Sequence, residues 1–506
     1  MNYIKVFLSI VLLNCFAITV AQNSAGSHNE LHRPQIHFSP LAHWINDPNG
    51  MIYFKGTYHL FYQYYPDGTV WGPMHWGHAT STDLFHWKQL PIALFPDSLG
   101  YIFSGSAVAD SNNTSGFGRN GRIPLVAIFT QHDPKGEKEG ATNFQNQSIA
   151  YSLDDGKTWV KYNQNPVLKN PGIKDFRDPK VSWYAPAKKW IMTLATLDHI
   201  TFFESKDLKQ WSQISEFGKT IGAHGGVWEC PDLFPINYEG KSLWVLIINI
   251  NPGAINGGSG TQYFIGSFDG KVFTPFETDT RWLDYGPDDY AGVTWSNTGK
   301  RHIFLGWMGN WLYANKVPTD PWRGAMTIPR ELKIEKINRK YSLTSLPLKS
   351  ITSLSKETLS LINIKTSNFD LSSKIKDIKV PFQLDITTGA VQDFRIKFSN
   401  SVGEELVVGF DKALNQFFID RSNSGDISFD KNFANKSFAP RLSNEKNISL
   451  KIIADNSSLE LFADNGSTVM TCIFFPHKNL DIVHINSADV LLIKKLKYTA
   501  FGSIFK

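Results

Sequence analysis

Most of the chain reads as short runs in which apolar and polar positions alternate, broken every few residues by Gly, Pro, Asn or Asp. That period and punctuation predict β-strands joined by tight turns. Four segments repeat one pattern: a strand, a Ser/Asp turn, then an aromatic residue four places after an Asp. They are HATSTDLFHW (Asp83, Trp87), IAYSLDDGKTW (Asp155, Trp159), FFESKDLKQW (Asp207, Trp211) and FIGSFDGKVF (Asp269, Phe273). A hairpin recurring roughly every 50 to 70 residues fits blades of four short strands, hence a β-propeller; the competing reading is four unrelated hairpins in a sandwich. Trp87, Trp159 and Trp211 then read as packing between blades. Trp71, Trp76 and Trp311 fall outside the repeat and read as walls of a pocket.

A second repeat lies upstream of three of these hairpins. NDPNGMIYFKGTYHLFYQY, RDPKVSWYAPAKKWIMTLAT and ECPDLFPINYEGKSLWVLIINI each run acid, Pro, strand, turn, strand. Pro is expected there because the start of a strand need not donate a ladder hydrogen bond. Innermost strands of a propeller line one channel, so Asp47, Asp178 and Glu229 should converge at its mouth. IFSGSAVAD and DYGPDDYAGVTW open two further blades without the acid–Pro pair, which makes five blades over residues 31–340. Beyond that the texture changes. Residues 341–378 are poor in aromatics and read as a linker and the start of a second unit. Alternating runs such as FQLDITT, ELVVGFD and SLELFADN then predict an antiparallel β-sandwich over 379–506. The fold class expected is all-β, a five-bladed β-propeller followed by a C-terminal β-sandwich.

Composition narrows the function. Aromatics make up 13% of the 506 residues, content that suits packed sheets and also a cleft where flat rings stack on sugar C–H faces. A net charge of +5, with no basic stripe interleaved with aromatics, argues against nucleic acid as a partner. The first 21 residues carry one Lys and an apolar run ending in Thr19-Val20-Ala21, a secretory signal peptide. The run is short for a membrane span. Export to a periplasmic or extracellular location follows, with Cys15 leaving lipid attachment at the surface open. Past the leader only Cys230 and Cys472 remain, neither a disulfide framework nor a metal-type spacing. No metal and no cofactor is expected, and oligomeric state leaves no sequence signal.

Two carboxylates flanking a glycosidic bond are the minimum for hydrolysing it, and a third can hold sugar hydroxyls. Sequence neighbours suggest a division of labour. Asp47 lies among Asn46, Asn49 and turn amides, donors that favour an ionised nucleophile. Glu229 lies between Trp228 and Cys230, apolar neighbours that suit a protonated general acid. Asp178 follows Arg177, a pair expected to stay ionised and to accept hydroxyl hydrogen bonds. A turn Asp, a surface ion pair and a strand-end Glu are the plainer explanations of each residue taken singly.

WINDPNG, FRDPK and WECPD, in this order, resemble the motifs of glycoside hydrolase family 32, the β-fructofuranosidases. The resemblance extends through FYQYYP, WGPMHWGHA, FSGS and PTDPWRGAMTIPREL and covers nearly the whole chain after the leader. It implies a five-bladed propeller with a β-sandwich and a retaining double displacement. Asp47 would attack the anomeric carbon of a fructofuranosyl unit, Glu229 would protonate the leaving oxygen, and Asp178 would hold ring hydroxyls. By the same matches Trp44, Asn46, Gln63, Trp71, Phe103, Ser104, Arg177 and Trp311 would bind the fructose. The expected substrate is a fructan, levan or inulin, attacked from its end, with sucrose also cleaved. An endo-levanase, an invertase, a fructosyltransferase and an inactive glycan-binding protein are the alternatives.

Overall fold

The computed structural model describes residues 28–505; the leader read at 1–21 lies outside the described residues. Five antiparallel sheets form the blades of a propeller. Their innermost strands are His43–Phe54, Tyr101–Ala109, Phe176–Tyr184, Val227–Tyr238 and Tyr290–Thr294. The ring is closed where Trp322–Arg323 pairs in parallel with His43 and Trp44 of the first blade. Blade faces pack through apolar side chains, and the repeat aromatics take part. Trp159 meets Phe61 of the first blade edge-on at 5.4 Å, and Trp211 packs against a cluster that includes Phe176, Trp190 and Leu208.

The hairpin turns follow the Ser–x–Asp pattern, with one shift. Asp83, Asp207 and Asp269 each accept two backbone N–H groups of their turns. In the second blade the equivalent acid is Asp154, which accepts from Thr158 and pairs with Ser152, whereas Asp155 reaches Lys55 on the surface. One extra residue in that turn sets the aromatic five places after its capping acid.

Each of the five inner strands carries a β-bulge. Asn46–Asp47, Phe103–Ser104, Asp178–Pro179, Cys230–Pro231 and Ala291–Gly292 stand opposite the single residues Gln63, Thr130, Leu194, Ile248 and Gly306. A bulge leaves a residue unpaired and re-aims side chains, so Pro179 and Pro231 sit inside a strand without forfeiting a ladder bond. Pro179 and Pro231 therefore mark bulges and Pro48 directly follows one, opposite Tyr62, in place of the strand starts expected from sequence.

The fifth blade ends with the hairpin Arg330–Ile337 and Lys340–Pro347. Its last strand lies from residue 340 on, where the composition changes, and reads like linker because several of its buried positions, Ser342, Thr344 and Ser345, are polar. The second unit is one ten-stranded sheet folded on itself into a sandwich. Ile482–Phe501 spans both leaves, pairing Phe394–Ser399 through its first part and Phe382–Thr388 through its second. Ser355–Asp370 runs along the same strand. Phe382, Leu384, Phe398, Val408, Ile452 and Leu461 are buried in the core of this unit.

Candidate active site

Residues at the bulges of the first three blades, Asn46, Asp47, Phe103, Ser104 and Asp178, meet Glu229 of the fourth in a cavity of about 370 Å³. Asp47, Asp178 and Glu229 all line it, although each holds a different place at its bulge: second residue, first residue, and the residue just before. Asn46, Gln63, Trp71, Phe103, Ser104, Arg177 and Trp311 line it as well. Trp44 does not. It is fully buried behind the wall, its ring stacked on Trp311 at 5.9 Å. Trp76, expected at the wall, is core: it packs on Phe61 and Phe129 and donates to the Phe103 carbonyl at 3.0 Å.

Hydrogen bonds fix the Asp47 carboxylate on both oxygens. The Trp44 indole donates to Asn46 Oδ1 at 2.8 Å, which turns the Asn46 amide nitrogen towards Asp47 Oδ1, also 2.8 Å away. Ser104 donates to Asp47 Oδ2 at 2.7 Å. The Cys230 sulfur lies 3.4 Å from Asp47 Oδ2 and 3.6 Å from Asp178 Oδ2, so it stands between the two acids. Burial and the surrounding carboxylates push its thiol well above the ordinary range, which keeps it an S–H donor. Asp178 also accepts the Cys230 N–H at 3.1 Å, and its own N–H donates to Thr130, the residue opposite the second bulge.

The electrostatics differ from what the sequence neighbours suggest. Arg177 turns away from Asp178 and bonds Glu229 Oε1 through two nitrogens, at 3.1 and 3.0 Å, and also Asp175. Burial, with Glu229 and Asp47 nearby, raises Asp178 to about 7 despite the arginine. Burial and the Glu229 charge likewise raise Asp47, against the hydrogen bonds from Ser104, Asn46 and Cys230. Asn46 does donate to its chain neighbour Asp47, but the Arg177 guanidinium is taken up by Glu229 and Asp175, although Arg177 and Asp178 line the same cavity. Tyr290 donates to Glu229 Oε2.

Sequence reasoning misses Cys230 and Tyr290, both inside quoted motifs, and a group from strand ends, connecting segments and short helical turns: His132, Glu137, Gln145, Asp175, Asn251 and Asn315. Aligning the acid–Pro repeats singles out Cys230 as the residue separating acid from Pro. The others, at strand ends and in the segments between strands, carry no periodic signal. Among the described residues, no group of three His, Cys, Asp or Glu side chains is placed to hold a metal ion, and no helix is long and apolar enough to cross a membrane.

Residues 37–347 match the model of the glycosyl hydrolases family 32 N-terminal domain, and 345–499 match the family 32 C-terminal model. The chain belongs to glycosyl hydrolase family 32. As a member of family 32 it is a glycoside hydrolase, and the resemblance carried by WINDPNG, FRDPK and WECPD is borne out. It is similar to a levanase of Bacillus subtilis (strain 168), 45% identical over 499 residues that cover 96% of this chain and 72% of the relative. The extracellular exo-inulinase of Aspergillus awamori is 40% identical over 524 residues, 95% of each chain. The crystal structure of exo-inulinase from Aspergillus awamori aligns with a TM-score of 0.87 at 36% identity, over 94% of this chain and 100% of that one. The β-fructofuranosidase from Schwanniomyces occidentalis complexed with fructosyl-erythritol aligns with a TM-score of 0.87 at 33% identity, over 95% and 99%.

Proposed function

We propose that this family 32 hydrolase releases fructose from the ends of fructan chains, levan or inulin, and also cleaves sucrose. The observation that carries the reading is the convergence of three carboxylates from three blades in one cavity of about 370 Å³. That volume is near the lower end for small-molecule sites, which suits a terminal sugar and its linkage better than a chain lying across an open cleft. The levanase and exo-inulinase relatives support the substrate class. The relatives named as extracellular support export, in line with the leader at residues 1–21.

In the proposed reaction an Asp47 oxygen attacks the anomeric carbon of the fructosyl unit while Glu229 gives its proton to the departing oxygen. Water then attacks the fructosyl–enzyme bond, Glu229 takes its proton, and fructose leaves with Asp47 restored. Asn46, Ser104 and Cys230 hold the attacking carboxylate in one orientation. Five acids line the site, Asp47, Glu137, Asp175, Asp178 and Glu229, with one arginine among them. Burial, and after it the neighbouring acids, raises Asp47 and Asp178, and the clustered carboxyl groups present negative charge to the oxocarbenium-like transition state. The Gln63 amide nitrogen is buried without a protein partner at the cavity wall and can donate to a sugar hydroxyl.

Time-resolved chromatography of products from levan, inulin and sucrose tests this. Fructose, with glucose only from sucrose, is expected from the earliest times. A ladder of oligomers would replace exo attack with endo attack, and chains longer than the donor would make the protein a transferase.

A further inference from the structure

Two aromatic walls of the cavity hang from one turn. Trp311 lies at its start, its N–H bonded to Ser259 at 3.1 Å and its ring against Trp44 and Trp307. Asn315 lies four residues on and accepts the backbone N–H of Trp71 at 2.9 Å, which ties a second wall to the same turn. Between them Tyr313 points inward and is 2% exposed. Its hydroxyl donates to Asp288 Oδ1 at 2.6 Å and accepts from Arg421 at 2.8 Å.

Arg421 belongs to the sandwich, in strand Gln416–Asn423, and is itself held on every side. It bonds Asp288 Oδ2 at 2.6 Å and the carbonyls of Phe433 and Ile473, and its guanidinium lies 4.0 Å over the Phe433 ring. Phe433 meets the Tyr313 ring edge-on at 5.2 Å. A side chain fixed by this many contacts is a rigid reference point, and a turn hung from it inherits that rigidity.

We propose that Arg421 and Tyr313 are positioning residues for the sugar pocket: the sandwich sets, through this clasp, where Trp311 and Trp71 stand. The inference rests on the proposed function only in taking those walls to be the ones that hold substrate. Wall displacement of about 1 Å is enough to cost up to about a hundredfold in rate or binding. The plainer alternative is that the clasp only glues two domains together, and the two differ in what a variant changes.

The test compares Tyr313→Phe, Arg421→Met and, as a control, Arg441→Met, with sucrose and inulin kinetics measured well below each melting temperature. Arg441 pairs with Asp464 at 2.6 Å within the sandwich and touches neither the turn nor the cavity. Tyr313→Phe is expected to raise KM about 5- to 20-fold with kcat changed less than about threefold, the split that marks lost substrate positioning. Arg441→Met should lower the melting temperature and leave KM within about twofold. Should Arg421→Met fail to fold, Tyr313→Phe decides alone. A wild-type KM in Tyr313→Phe, whatever its melting temperature, overturns the proposal, as does an equal rise in Arg441→Met. If the wild type cleaves no β-fructoside, the proposed function fails separately, and a crystal structure of Tyr313→Phe still decides: Trp311 and Asn315 displaced supports the clasp, unmoved overturns it.

Discussion

Asp178 shows how one residue serves activity against stability. It is almost fully buried, and burial with two nearby acids raises it to about 7 from an ordinary carboxylate value of 3.8. Between those values the folded protein binds a proton that the unfolded chain does not, so stability falls as pH rises through that window. Asp178→Asn removes the charge. It is expected to melt about 2–4 °C above the wild type at pH 8, with the gain gone near pH 4, while activity drops steeply. Melting curves at both pH values check this; a variant less stable than the wild type at pH 8 would count against the buried charge. Asp47→Asn and Glu229→Gln should each lower kcat by about 10²–10⁴ with circular dichroism unchanged. Near-normal turnover in either would remove its assigned role.

The bulge is the element that turns a repeated strand into a site. WINDPNG, FRDPK and WECPD are legible as motifs, and the acid–Pro repeat correctly brings three carboxylates to one channel. The bulges are not legible, because a bulge is a relation between two strands and one strand's sequence holds only half of it. For the same reason sequence misplaces the environment of Asp178 and Glu229: Arg177 reaches Glu229 on the next blade, and not its own neighbour Asp178, whereas Asn46 does bond Asp47. Turn acids are legible to within one residue, Asp154 in place of Asp155, since an inserted turn residue leaves the Asp and aromatic signals in place. These turn acids stabilise hairpins without touching chemistry. Asp207→Ala frees the N–H groups of Lys209 and Gln210 and should cost about 1 kcal/mol, read as a lower melting temperature with kcat/KM unchanged. A loss of activity at equal folded fraction would mean the outer hairpins bear on the site.

At the scale of the molecule, the two domains meet through buried ionic contacts that sequence texture cannot reveal, since the partners lie more than a hundred residues apart. Arg330 of the last blade joins Asp284 and Asp289 to Glu460 of the sandwich. His37 binds the sandwich through Asp455 at 2.7 Å and Glu460 at 2.9 Å. Burial alone would lower His37, but its two carboxylate partners raise it to about 9. A group raised from 6.5 in this way contributes stability that is complete below pH 6.5 and lost as pH climbs through 9. His37→Gln should therefore be less stable than the wild type at about pH 6, with the difference narrowing above about pH 9. A difference that stays constant across that range would place the residue's contribution in packing.

The chemistry assigned to the converging acids is tested most directly by the configuration of the first product. With sucrose as donor and dilute methanol as acceptor, NMR of the transfer product reads the stereochemistry before any ring opening can scramble it. A double displacement through Asp47 predicts methyl β-fructofuranoside; the α-anomer as the first product would contradict the account.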